Sequence, residues 1–301
     1  MQLVVFPAPF TAQAAGRRRC GVVRRIRNFR LGGAARGDQL LRQRARQPAL
    51  CRGSGERRGG DTIDISGLTT SDPGCGSGVL SQITLTTGAI TVGQRVLTIS
   101  GPGRDALLIR PNAGSHSRVI YHNYYSAGNP GHLYLENLNV GYGYITSSGT
   151  ANGGCISSPS GTVTLTGVRV YHCSATTTAP MSATQRALGG GVFAGYGLTM
   201  VDSVIGRAAA YATNTDVRAR GGCAHTPGPL DMRNSIVANC KAVGPIGSKL
   251  VVGGALESHG NVTITGSLIA FSYSSYDVGG VAITNGAAYT TTISNSSIGY
   301  N

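Results

Sequence analysis

LYLENLNV (133–140) decides the fold, because it returns as VTLTGVRV (163–170), LTMVDSVI (198–205), LDMRNSIV (230–237), VTITGSLI (262–269) and TTISNSSI (291–298). Successive copies begin 30, 35, 32, 32 and 29 residues apart. A Gly-Gly pair recurs between them, as GGCI (153–156), GGVF (190–193), GGCA (221–224), GGAL (253–256) and GGVA (279–282). Self-similarity at this period marks a stacked repeat, in which no single unit buries its apolar face alone.

Within the copies the third position is always apolar: Leu135, Leu165, Met200, Met232, Ile264 and Ile293. With an apolar first position in nearly every copy, this is the period-two alternation of a half-buried strand. The fifth position is Asn137, Gly167, Asp202, Asn234, Gly266 or Asn295, residue types that tolerate left-handed backbone angles. The eighth is Val or Ile throughout. Each copy therefore reads strand, corner, strand. Stacked coils pair such strands in parallel, like over like, about 4.8 Å apart. The sixth position would then form a serine stack from Ser203, Ser235, Ser267 and Ser296.

The expected fold class is all-β, a right-handed parallel β-helix built as a single-stranded solenoid, its hand taken from that of parallel crossovers in general. Thr, Ser, Val and Gly dominate, which argues against a helical solenoid. The period is shorter than the about 40–45 residues of a propeller blade. DTIDISGL (61–68), QITLTTGAITV (82–92), QRVLTISGPG (94–103) and ALLIRP (106–111) read as strands of the first coils. The domain at 61–301 is expected to hold about eight coils.

The formal charge of +14 invites a nucleic-acid reading, but its distribution excludes one. Residues 1–60 carry 14 Arg against Asp38 and Glu56, a net +12, whereas 61–301 carry 12 basic and 10 acidic residues, a net +2. The solenoid has no basic stripe, so no nucleic-acid partner is expected. The segment at 1–60 is expected to be a basic leader, either disordered or translated out of frame, since Arg, Gly and Ala dominate it without any strand or helix period. MQLVVFPAPFTAQAAG is a weak secretory signal. No apolar run is long enough for a transmembrane helix.

Of seven cysteines, four recur in a pattern. Cys155 and Cys223 follow a Gly-Gly pair; Cys173 and Cys240 follow the second strand 18 and 17 residues later. Two readings stay open. Either Cys155–Cys173 and Cys223–Cys240 are intracoil disulfides, which implies an oxidising compartment, or all four are small buried thiols filling equivalent slots. No CxxC occurs and the histidines are scattered, so the sequence predicts no metal site and no cofactor.

The Gly-Gly markers, with the V/I-x-x-N elements IVAN (236–239) and IGYN (298–301), resemble repeats of bacterial polymorphic outer-membrane proteins. The opening GDTIDISGL, ITLTTGAITV and LTISGPG is similar to the start of secreted bacterial β-helix proteins of the CSLREA-domain type. The resemblance implies a secreted or surface-exposed, outer-membrane-associated protein, used in adhesion or with no assigned activity. This chain departs from that pattern: the CSLREA-like segment is not readable, and no β-barrel sequence follows Asn301. A final coil at Asn301 would leave an open edge, from which a fragment is expected.

Parallel β-helices of the pectin lyase-like kind also include polysaccharide lyases and hydrolases, and fold alone does not decide between activity and binding. Glycoside hydrolysis uses two carboxyl groups at a set separation, and no two acids of 61–301 are adjacent. Asn214-Thr215-Asp216 and Ser258-His259-Gly260 echo two polygalacturonase motifs, without the adjacent Asp pair between them. Asp61, Asp64 and Asp72 are close in sequence, but strand alternation separates their faces. Arg207, Arg218, Arg220 and Arg233 form a mildly basic zone. No catalytic residue is therefore assigned.

All thirteen tyrosines lie between Tyr121 and Tyr300, and Tyr121, Tyr124, Tyr125, Tyr273 and Tyr276 form the expected binding surface. The long stretches before each Gly-Gly pair, such as 174–189 and 208–220, are expected to be loops sharing one side. The sequence thus predicts a non-catalytic, adhesin- or passenger-like protein that presents loops to a glycan or a host protein. A carbohydrate-active enzyme is the alternative.

Overall fold

The structure, a computed structural model, describes residues 60–68, 81–180, 185–246, 251–284 and 288–301. The expected leader, apart from Gly60, and Asp72 lie outside the described residues. All regular structure among them is β, and the paired strands stack in parallel. The molecule is a parallel β-helix.

The first sheet takes the opening half of each copy: Asp61–Asp64, Val96–Ser100, Gly131–Glu136, Gly161–Thr166, Gly197–Val201, Leu230–Arg233, Val262–Thr265 and Thr291–Ser294. Its register follows the sequence pattern copy for copy. Leu133 pairs with Val163, Val163 with Leu198, Leu198 with Leu230, Leu230 with Val262 and Val262 with Thr291. The second sheet has eight strands, from Ser81–Leu85 to Ser297–Gly299, and the third has seven, from Ile90–Val92 to Val281–Ile283. One strand from each makes a three-sided coil. Among the described residues seven coils have one strand in each of the three sheets, and an eighth has two.

Alternate residues of all three sheets fill one continuous core, including Leu133, Leu165, Met200, Met232, Ile264 and Ile156. Stacking is what buries them. In the last described coil Ile293 and Ile298 are 47% and 41% exposed, whereas their inner counterparts Ile264 and Ile269 are fully buried.

The corner between the first two sheets behaves as its residue types require. Asn137, Gly167, Asp202, Asn234, Gly266 and Asn295 all have φ between 47° and 62°. The serine that follows forms a ladder. Ser203 Oγ accepts from Val168 N–H, Ser235 Oγ from Ser203 N–H, Ser267 Oγ from Ser235 N–H and Ser296 Oγ from Ser267 N–H, each at 3.1 Å. Each hydroxyl also donates to the carbonyl two residues back, at 2.7–2.8 Å. The stack thus satisfies buried amides that the corner removes from the sheets.

The stretches expected to be loops contain strands. Tyr144–Ser147, Ser174–Thr177, Ala209–Ala212, Lys241–Val243 and Tyr273–Ser274 form a fourth sheet, and Ala151–Asn152, Arg186–Leu188, Arg218–Arg220 and Val251–Val252 a fifth. Together they make a projection with its own small core of Ala179, Ala187, Ala210, Ala212, Val217, Ala219, Ala242 and Val251. Small residues suit two sheets in close approach, which is why no large-residue alternation marked these strands.

The projection rejoins the coil at the Gly-Gly corner. The first glycine, Gly153, Gly189, Gly221 or Gly253, has φ of 58–65°. The second, Gly154, Gly190, Gly222 or Gly254, has no room for a Cβ beside the glycine carbonyl of the next coil. Ile156 pairs with Val192 and Leu256 with Val281, so the fourth-coil corner is Gly189-Gly190, and the last Gly-Gly pair sits one position late. IVAN and IGYN are likewise one position out of register, since Val237 pairs with Ile269 and Ile269 with Ile298.

Cys155 is bonded to Cys173 and Cys223 to Cys240. Each bond closes a ring of the three body strands across the neck of the projection, and all four cysteines border the main core. The coil between them places Gly191 and Ala208 at the same neck, with a Gly191 Cβ position 3.5 Å from Ala208 Cβ.

Candidate functional site

Two constructions stand out from the repeat, one buried and one exposed. The buried one lies on the outer side of the third sheet. Ile156, Val192, Ala224 and Leu256 join the main core; the next residues, Ser157, Phe193, His225 and Glu257, do not, yet all are buried. His225 and Glu257 are register partners in adjacent coils. His225 Nδ1 lies 3.1 Å from Glu257 Oε2, and His259 Nε2 lies 3.0 Å from Oε1. Arg220, from the fifth sheet, donates to Oε1 at 2.7 Å. The His225 ring stacks on Phe193, with centroids 5.7 Å apart and planes 5° from parallel, and meets the His259 ring edge-on at 5.4 Å.

Electrostatics assigns the protonation states. Burial holds the His225 imidazole below the usual histidine range, so it is neutral at pH 7. Burial alone would raise the Glu257 carboxyl. Hydrogen bonds from His225 and His259 and the charge of Arg220 outweigh it and push the group down to about 2. A neutral His225 donates without bringing charge, so Arg220 supplies a full positive charge at this carboxylate. The cluster ties the projection, through Arg220, to two consecutive coils. Its His225, Glu257 and His259 donor atoms all lie within 4.8 Å of one another. These three residues could hold a metal ion.

The exposed construction is the corner between the second and fourth sheets. Tyr142, His172, Arg207, Asn239, Phe271 and Tyr300 occupy it in six successive coils, each with φ between 51° and 59°. All six are exposed. The angle lets the amide of Tyr142, Arg207 and Asn239 bond the carbonyl of Tyr171, Ala238 and Ala270 in the next coil, at 3.1–3.2 Å. A left-handed conformation costs an L-residue with a Cβ about 1–2 kcal/mol, which glycine avoids. The preceding corner uses Asn, Asp and Gly; this one uses an Asn once, at Asn239, and a ring or a guanidinium group at its other five positions.

Their planar groups stack. Tyr142 and His172 rings are 5.1 Å apart and 9° from parallel, and Phe271 and Tyr300 are 5.5 Å apart and 14° from parallel. Arg110 lies 4.7 Å over the Tyr142 ring, and Arg207 reaches His172 Nε2 at 3.4 Å. Burial first, then the charge of Arg207, holds His172 below the usual range.

The tyrosines expected to bind lie in two groups, one near each end of the stack. Tyr121 and Tyr124 are half-buried and Tyr125 is 79% exposed, beside the second strand of the third sheet, with Arg118 5.3 Å over Tyr121. Tyr273 and Tyr276 are 54% and 55% exposed, at the last strand of the fourth sheet. Asp216 lies in the exposed turn before Arg218–Arg220, and the carboxylate that holds His259 is Glu257. The basic zone is dispersed. Arg233 pairs with Asp231, Arg207 belongs to the exposed corner, and Arg218 and Arg220 belong to the fifth sheet. In comparisons with known proteins, no family model, no curated protein and no solved structure matches the chain.

Sequence reasoning passed over Glu257 and His225. The signal was present: GGCAH and GGALE put them three residues past the second glycine of consecutive coils, 32 residues apart.

Proposed function

We propose that this protein is a non-catalytic, secreted or cell-surface β-helix, adhesin- or passenger-like, that binds a glycan or a surface protein through its second corner. The observation that carries this reading is the run of exposed left-handed residues Tyr142, His172, Arg207, Asn239, Phe271 and Tyr300. Bulky side chains in a conformation suited to glycine mark a backbone arranged for presentation rather than stability. Rings and guanidinium groups repeated at the coil spacing match the stacking faces of an extended saccharide chain or the side chains of a protein ridge. Disulfides at two necks favour an oxidising compartment, and the likeness to polymorphic outer-membrane repeats favours the cell surface. No helix among the described residues is long and apolar enough to cross a membrane.

A carbohydrate-active enzyme is the second reading. An ionised Glu257 beside two imidazoles favours it. Against it, no second carboxylate joins this cluster among the described residues. The test applies the full chain to arrays of acidic and neutral polysaccharides, recording binding and the release of new reducing ends. Binding that Phe271→Gly with Tyr300→Gly abolishes, at unchanged Tm, is the expected result. Binding indifferent to both substitutions overturns the corner reading. Turnover by the parent protein transfers the function to the enzyme reading.

A further inference from the structure

The buried cluster has a use that surface binding does not require. We propose that His225, Glu257 and His259 form a mononuclear site for a divalent transition metal of the zinc type. The argument begins with the ligand atoms. Two imidazole nitrogens and a carboxylate are the donors such ions select, whereas calcium and magnesium take oxygen ligands. Zinc bonds to nitrogen and oxygen of about 2.0–2.1 Å place tetrahedral ligands about 3.3 Å apart. The two imidazole nitrogens already lie 3.1 and 3.0 Å from the carboxylate oxygens. All three donor groups fall within 4.8 Å, so closing the triangle takes a shift of at most about 1.5 Å.

The surroundings match what such a site needs. Arg220 holds Oε1 at 2.7 Å, an outer hydrogen bond of the kind that orients a ligating carboxylate; Oε2, beside His225, is left to bind the ion, and His259 Nε2 turns to it from Oε1. Phe193 fixes the plane of the His225 ring from one side. Glu257 is inaccessible and the His225 side chain is 3% exposed, but that of His259 is 32% exposed. The ion therefore enters on the His259 side, where the fourth position faces solvent or a ligand atom. On binding, the ion takes the place of the protons that bridge each imidazole to the carboxylate. Each ring then keeps a proton only on its other nitrogen.

This site is independent of the corner reading, and its test does not use ligand binding. Full-length protein, with Cys20, Cys51 and Cys75 replaced by Ser to remove competing thiols, is stripped with chelator and titrated with Zn²⁺ and with Co²⁺ as a spectroscopic probe. Expected are one ion per chain, a tetrahedral Co²⁺ absorption spectrum, and a Tm raised by Zn²⁺ but not by Ca²⁺. His259→Ala, at the exposed edge, should weaken affinity more than the about 10–100-fold typical of losing an outer-shell group. His259→Cys, which restores a ligand, should recover binding with a sulfur-to-cobalt charge-transfer band. No saturable uptake by the parent protein, or uptake unchanged in His259→Ala, overturns the site. The parent titration is decisive even if a variant fails to fold.

Discussion

Replacing Ser235 by alanine tests the serine ladder at its centre. Ser235 is 1% exposed. Its Oγ accepts from Ser203 N–H at 3.1 Å and donates to the Arg233 carbonyl at 2.7 Å. That carbonyl keeps a second donor, Asp202 N–H at 3.1 Å, so the damage falls on the Ser203 amide. The substitution removes one oxygen and leaves almost no cavity, so transfer and packing terms are small. Stranding a buried N–H costs about 1–3 kcal/mol. With a urea m-value of about 2–3 kcal/mol/M, the unfolding midpoint should fall by about 0.5–1 M. Exposed Ser297→Ala, the control, should stay within about 0.5 kcal/mol. Hydrogen exchange gives the local readout: protection should drop in peptides covering Ser203 and persist at Ser235 and Ser267. An unshifted midpoint together with undiminished protection at Ser203 would refute the claim that the ladder satisfies the corner amides.

Three further outcomes follow from the same geometry. His122 is buried, with Nδ1 2.8 Å from Ser158 Oγ and Nε2 2.8 Å from the Gln94 carbonyl, beside Tyr124 and His132, and burial lowers its pKa. The unfolded chain then binds more protons, so its stability contribution is complete above pH about 6.5 and declines as pH falls through that value, at up to about 1.4 kcal/mol per pH unit; His122→Gln should flatten a plot of Tm against pH there. Removing the Cys155–Cys173 bond by paired Ala substitution opens a loop of 18 residues and should cost about 3 kcal/mol by chemical denaturation. Gly190→Ala places a Cβ against backbone of Ala209 and Gly222, which no rotamer change relieves, and should cost about 3 kcal/mol or more, read as a loss of folded yield and Tm.

The body of the fold was legible because its periodicity is carried by large side chains. The position of Leu135, Leu165 and Met200 reports the core face directly, and the register in the structure follows the alignment of those copies. The projection was not legible, because its strands are two to four residues long and pack through alanines such as Ala187, Ala210 and Ala219, which read as loop composition. The second corner was hidden for a different reason. Left-handed angles are inferred from Gly, Asn and Asp, and Phe271 or Arg207 gives no such cue. The Glu257 cluster lies between these cases. His225 and Glu257 share a place in the repeat, but His259 sits at a turn and Arg220 arrives from the projection, so only the three-dimensional stack assembles all four.

The neck where each projection leaves the coil also divides the chain into parts that tolerate change differently. From the start of each copy to its second corner the distance is nine residues in every case, Leu133 to Tyr142 and Thr291 to Tyr300 included. From that corner to the first glycine it is 11, 17, 14 and 14 residues, for Tyr142 to Gly153, His172 to Gly189, Arg207 to Gly221 and Asn239 to Gly253. From the first glycine to the next copy it is 10, 9, 9 and 9 residues for these four coils, so their change in length falls mainly on the projection side of the neck, whereas the last coil differs, with 13 residues from Val278 to Thr291. Because the alanine-rich cluster does not share side chains with the main core, a projection can lengthen, shorten or change its outer residues while the coil beneath keeps its pairing. The molecule is in this sense an adaptable frame, whose outline can diversify coil by coil without the founding repeat being remade.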